Sequence, residues 1–255
     1  MDTAKKHFLA DMGVMLGRSM RHVSRSMDTI ITVTLTPIAM MLLFVYVFGG
    51  AIDARTDNYV NYILPGILLM AIASGTSYTS FRLFMDVQKG IFERFHSMPI
   101  ARSSALWGHV LTSLVSNAIS VAAIVLVALA MGFRAQASPL SWLAAAGILA
   151  LFTLALTWIA VIPGLTAKSI DGASAFAYPL VLLPFISSAI VPTATMPPVV
   201  RAFAENQPVT SIVEAIRALL SNQPVGNGIW VALAWCVGIM LVAYVFAMRA
   251  YRKRI

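Results

Sequence analysis

Apolar residues in this chain run on for longer than any soluble helix or strand requires. Between its charged residues lie six uncharged stretches, 29–52, 58–81, 103–133, 135–167, 172–200 and 218–248. Each exceeds the roughly 20 apolar residues that a helix needs to cross a ~30 Å hydrocarbon layer. Trimmed at polar and turn-forming positions, they predict membrane spans over 29–52, 59–81, 104–133, 138–167, 172–191 and 227–248. The fold class expected is an all-α polytopic membrane protein with six transmembrane helices, residues 1–255 making a single transmembrane domain. So little chain is left between the spans that no connection is long enough to bury a core of its own.

Three connections carry a helical period instead of a continuous apolar run. Residues 5–27 put Phe8, Met12, Met15, Leu16, Met20, Val23 and Met27 on one face and His7, Arg18, Arg21, His22 and Arg25 on the other. Such a helix, within 1–28, lies in the membrane interface with its arginines toward anionic headgroups. It either serves as an anchor alone or also touches a cytoplasmic partner. Residues 86–101 repeat Val87, Ile91, Phe95 and Met98 beside Lys89, Glu93, Arg94 and His96, until Pro99 stops the helix. Two readings fit that short helix: a plug for a groove on another protein, with Phe92 and Phe95 as anchors, or an interfacial helix resting on lipid. Over 192–222, Pro192, Pro197, Pro198 and Pro208 cut the chain into pieces, and Ser211 and Glu214 have capping-box spacing ahead of Ile212, Ile216, Leu219 and Leu220. A plain loop would leave that apolar face in water, so a re-entrant helical hairpin in the outer leaflet is expected.

Composition agrees with the pattern. The chain is 59% hydrophobic and 11% charged, with a mean hydropathy of +0.83, where soluble domains carry about a quarter of their residues as charges. The net charge of +8 would suit nucleic acid, but its distribution is a topology signal. With both termini inside, 14 of the 18 Lys and Arg fall in cytoplasmic segments; only Arg55, Arg134, Arg201 and Arg217 lie outside. No basic run is interleaved with exposed aromatics, which speaks against nucleic acid. The first 28 residues lack the apolar core of a secretory signal, so the first span is expected to target the chain. One cysteine, Cys236, excludes an intramolecular disulfide and offers no metal-binding spacing.

Chemistry within the spans is sparse. A proton-coupled transporter commits a buried Asp or Glu to the membrane interior, and the spans contain none. The third span instead carries His109, Thr112, Ser113, Ser116, Asn117 and Ser120 along one face. That stripe faces protein or a water-filled path, either as hydrogen-bonding glue between helices or as a substrate path through His109, Ser113, Ser116, Asn117 and Ser120. None of the five lysines follows glycine, so there is no GxxxxGK[ST] phosphate loop.

Two segments carry a family resemblance. Gly90-Ile-Phe-Glu-Arg-Phe-His-Ser-Met-Pro-Ile-Ala-Arg102 resembles the signature loop of type-2 ABC exporter permeases, in particular the daunorubicin-resistance-like branch. The second is Pro179-Leu-Val-Leu-Leu-Pro-Phe-Ile-Ser-Ser-Ala-Ile-Val-Pro-Thr-Ala-Thr-Met-Pro197, continued by Phe203-Ala-Glu-Asn-Gln-Pro-Val-Thr210. His96 stands where the pattern more often has Arg. The resemblance implies a homo- or heterodimer of six-span subunits in a bacterial inner membrane, each docked on a separate ABC ATP-binding subunit, two copies in all. It makes the 86–101 helix the coupling helix, with Phe92, Glu93, Arg94, Phe95, Met98 and Arg102 as its ATPase-coupling residues. It also implies that ATP and Mg are bound by the partner subunit, with no cofactor in this chain, and that an amphipathic drug, lipid or glycolipid-like substrate is exported by alternating access. The rival expectations are an ion- or proton-coupled secondary transporter and a membrane anchor for a peripheral complex.

Overall fold

The computed structural model describes residues 27–50, 58–91 and 104–254, and every regular element within them is helical. Helix α1, Met27–Leu43, continues through a π-helical turn, Phe44–Phe48. The next three are α2, Tyr59–Gln88, α3, Ser104–Ala130, and α4, Pro139–Thr166. Two short helices follow, α5, Ile170–Ala175, and α6, Ala177–Leu182. The chain closes with α7, Pro198–Asn206, α8, Pro208–Leu220, and α9, Gly228–Arg254. Among the described residues, α2, α3, α4 and α9 are long and apolar enough to cross a membrane, while α1 and the 170–186 segment supply shorter apolar pieces.

Helix α2 is the hub. Its sequence is apolar all round, as a helix buried on every side must be, and Ile63, Leu64, Ile67, Leu68, Leu69 and Ile72 are each at most 2% exposed. It packs against α1, α3, α4, α5, α6 and α8. Small residues set the approach distances: a Cβ on Gly66 would fall 2.5 Å from that of Ala189, and one on Gly164 of α4 would fall 2.9–3.1 Å from the Leu83 side chain. Close backbone approach through small residues is a leading source of helix association in lipid, where hydrophobicity gives no preference for protein over tails.

At the end we call the crown, side chains cap the helices. Asn58 accepts from the Val60 N–H at 3.0 Å and donates to the Gly132 carbonyl at 2.9 Å. Gly132, at φ +99, takes the left-handed turn that ends α3. Asn61 and the Arg134 backbone exchange two hydrogen bonds of 3.1–3.2 Å. At the opposite end, the base, Leu83, Leu106, Val110, Val161 and Tyr251 surround Trp158 in a second core. Trp158 meets Trp107 and Tyr244 edge-on at 5.3 and 4.8 Å.

Two of the boundaries that differ from the pattern have a plain physical reason. Helix α2 does not stop at 81, where the first charge falls; nothing between Phe81 and Gln88 breaks a helix, and it ends only before Gly90, at φ +64. The hairpin helix α8 is not opened by Ser211 and Glu214. Pro208 occupies its first turn, with the preorganised φ and missing donor that suit that place, so α8 begins a turn earlier, with Gln207 as its N-cap residue.

The 172–191 stretch is not one continuous helix. Pro179 and Pro184 lack the N–H that would carry the ladder, and the chain passes through α5, α6 and a 3₁₀ turn, Leu183–Ile186, into extended backbone at Ser187. The amide of Gln207 donates to the carbonyls of Leu183 and Ile186 in that last turn. Thr210 accepts from the Ser188 N–H at 3.4 Å and donates to the Ala204 carbonyl. Tyr59 donates to the Ile190 carbonyl at 3.0 Å. Gln207→Ala orphans two carbonyls at once and should destabilise the protein by about 1–3 kcal/mol, the cost of a buried unsatisfied group. Thermal unfolding in detergent should show the loss, whereas Asn206→Ala, which removes one exposed bond to Ala202 of its own helix, should change little.

Candidate functional site

The polar face of α3 does not act as one unit. Ser113 shares a 3.0 Å hydrogen bond with Thr157 of α4, and Asn117 donates to the Ser113 carbonyl and hydroxyl at 2.9 and 3.3 Å. Ser120 accepts from Thr34 of α1 at 2.9 Å. Thr112 turns back to the Gly108 carbonyl of its own helix, and the buried Ser116 hydroxyl has no hydrogen-bond partner. Asn117 also presses its amide oxygen against Gly75 of α2, leaving no room there for a Cβ. Ser113, Asn117 and Ser120 are each at most 3% exposed, so this stretch fastens α3 to α1, α2 and α4 at mid-depth.

His109, the remaining member of the stripe, lies at the base. Its Nε2 is 3.2 Å from Asp86 of α2. One turn back, Arg82 places its guanidinium 5.3 Å from the Tyr78 ring, with its buried Nε lacking a hydrogen-bond partner. The base thus joins α2 and α3 through a polar contact close to the connection between them. Sequence reading singled out His109 but not Arg82 or Asp86, because the uncharged-run criterion ended the span at 81. Their i, i+4 spacing was the available signal.

A second cationic site was also missed. Arg217 of α8 stacks 3.9 Å from the Tyr62 ring centroid, donates twice to the Tyr62 carbonyl at 3.1–3.2 Å and reaches the Ser188 carbonyl at 2.7 Å. One guanidinium therefore binds the hairpin, the hub helix and the broken segment together. On exposed α7, Arg201 donates to Glu205 at 2.7 Å, and that bond holds the Glu205 carboxyl below its ordinary value. Phe92, Glu93, Arg94, Phe95, Met98 and Arg102 lie outside the described residues. The described chain reaches that segment through Gly90 and Ile91 of the α2 end and resumes at the start of α3.

These features define a multi-pass helical membrane protein: a buried hub helix, a hydrogen-bonded break near the crown, and sparse charge concentrated at the two ends. The sequence profile of the ABC-2 type transporter family matches residues 11–221. The chain is 33% identical to "Daunorubicin resistance ABC transporter permease protein DrrB1" of Streptomyces coeruleorubidus, over 88% of this chain and 80% of that protein. It is 24% identical to "Probable doxorubicin resistance ABC transporter permease protein DrrC" of Mycobacterium tuberculosis, over 98% and 91% of the two chains. The chain therefore belongs to the ABC-2 type transporter family, as its transmembrane permease subunit. In that family the ATPase is a separate subunit.

The packing at mid-depth has a direct consequence. Gly75→Leu drives a side chain into Asn117, whereas Gly147→Leu adds one where a Cβ meets nothing within 4 Å. Overpacking of this kind costs about 1–3 kcal/mol. Thermal melting of the detergent-solubilised protein should show a lowered midpoint for Gly75→Leu and an unchanged one for Gly147→Leu.

Proposed function

We propose that this chain exports an amphipathic molecule, with a drug-like cargo favoured over a lipid or glycolipid, using ATP hydrolysed by the partner subunit. The relatives named for daunorubicin and doxorubicin resistance support the cargo class. The absence of a phosphate-loop motif supports the division of labour. In this reading the permease is a dimer, identical or heterologous, with two ATP-binding subunits that hold ATP and Mg. Both termini are cytoplasmic, in a bacterial inner membrane, so the base is the cytoplasmic end.

The observation that carries the mechanism is the continuity of α2, one helix from Tyr59 at the crown to Gln88 at the base, with its last turns tied to α3 through Asp86 and His109. In this reading the connection between the two clasped helices passes a push on to both of them. Phe92 and Phe95 would enter a groove on the ATPase, Glu93, Arg94 and Arg102 would pair at its rim, and Met98 would complete the apolar face. Closure of the ATPase pair would push the loop and α2 together, shifting the permease between inward- and outward-open states. That shift is useful only if cargo binds the two states differently. His109, Ser113, Ser116, Asn117 and Ser120 remain the proposed path. The interhelical bonds of Ser113 and Ser120 would then have to exchange as the helices separate.

Two experiments test this reading. Truncating an aromatic anchor at the centre of such a contact costs ~2 kcal/mol or more, around thirtyfold in affinity. Phe95→Ala should therefore weaken copurification of the ATPase by that order and abolish cargo-stimulated hydrolysis, without changing the amount of permease in the membrane. Lys89→Ala should retain both. If Phe95→Ala keeps full coupling, the loop rests on lipid and the docking role is lost. For orientation, a cysteine at Asn227 should react with an impermeant thiol reagent applied outside cells, and one at Gln88 should not; reversed labelling would invert the topology.

A further inference from the structure

A cleft of about 290 Å³ lies between α3 and α4 in the crown half of the bundle. Leu68 of α2 and Leu149 of α4 form its back, and Ile216 and Leu220 of the hairpin helix α8 close it toward the crown. Ala118, Ala122 and Ala146 stand exposed at its edge. Around that edge the surface is apolar and outward-facing: Ile119, Leu126 and Leu143 are 46, 66 and 70% exposed. The cleft exists because alanines stand where neighbouring positions carry leucine and isoleucine.

We propose that this cleft binds one acyl chain of a bilayer phospholipid. The donor groups of Asn117 and Thr153 in its lining are already engaged within the protein. Asn117 gives its amide hydrogens to Ser113 and sets its oxygen against Gly75, and Thr153 donates to the Leu149 carbonyl. The lining is otherwise aliphatic and aromatic, so a cargo rich in hydroxyls and amines would find few partners there, whereas a hydrocarbon chain needs none. A helix of a second subunit, ~10 Å across, is too wide to enter it. The edge opens onto the lipid-facing surface, where acyl chains are the prevailing solvent. A chain seated in the cleft packs against Ile216 and Leu220 and so braces the hairpin from below, making the seating of α8 depend on lipid.

Trp142 lines the same cleft and provides a probe. The purified permease in detergent micelles is titrated with phosphatidylcholine carrying brominated chains, which quench tryptophan only on contact. Subtracting the Trp142→Phe protein from the unmodified one isolates the Trp142 signal. Quenching of Trp142 should saturate at low lipid-to-protein ratio. In Ala122→Phe and Ala146→Phe it should fall by about half or more, because the added ring takes the chain's volume. Leu126→Phe, outside the cleft, should leave it unchanged. Saturation of the Trp142 signal requires only the conservative Trp142→Phe variant to fold, not the alanine variants. Quenching that rises without saturating would mean bulk lipid only and would overturn the site. Displacement of the brominated chain by doxorubicin at equal mole fraction would also overturn it, making the cleft a cargo site. Neither readout involves the ATPase or transport, so the proposal stands or falls separately from the exporter reading.

Discussion

Hydrocarbon offers no partner to a backbone amide or carbonyl, so any departure from helix at membrane depth has to be satisfied by the protein itself. The segment from Ile170 to Val191 is where this constraint acts most strongly. Its helical ladder ends in the turn Leu183–Ile186, and backbone groups there and beyond are met by side chains arriving from elsewhere: Gln207 at Leu183 and Ile186, Arg217 at Ser188, Thr210 at the Ser188 amide and Tyr59 at Ile190. Three of those four residues belong to the hairpin or its entry. The break and the hairpin are therefore one unit, and the hairpin's strongly apolar face is buried partly because its polar residues must reach the break.

Helix α2 relates that unit to the rest of the molecule. Arg217 holds the Tyr62 carbonyl near the start of α2, Gly66 lets Ala189 approach it, and its final turns carry Arg82 and Asp86 at the base. One continuous helix thus meets the crown unit at one end and α3 at the other, where His109 lies 3.2 Å from Asp86. The mid-depth bonds of Ser113 and Ser120 add attachments of α3 to α4 and α1.

Much of this was readable from the chain. The long apolar helices α2, α3, α4 and α9 follow from uncharged runs alone, and a helix with a buried face over 208–220 follows from the prolines and the spacing of Ile212, Ile216 and Leu219. The break was less legible: Pro179 and Pro184 were visible, but a 20-residue apolar run reads as a span until one knows that Gln207 and Arg217 lie within reach of its carbonyls. The Ser211–Glu214 spacing misled because Pro208 starts the helix first. The stripe on α3 was legible as a stripe, yet its division depends on which helix faces each hydroxyl, and periodicity within one helix carries no information about its neighbours. Asp86 and His109 lie 23 positions apart, on either side of a loop, and only the folded pair reveals them as a unit.

The central claim is that a separate ATPase drives movement of an amphipathic cargo through this chain. The direct measurement uses vesicles with the permease's base facing out, reconstituted with the ATP-binding subunit that copurifies with it, and follows accumulation of fluorescent doxorubicin. ATP with Mg should drive accumulation, and a hydrolysis-deficient partner subunit should abolish it without altering assembly. Accumulation driven by a proton gradient in the absence of ATP would contradict the account.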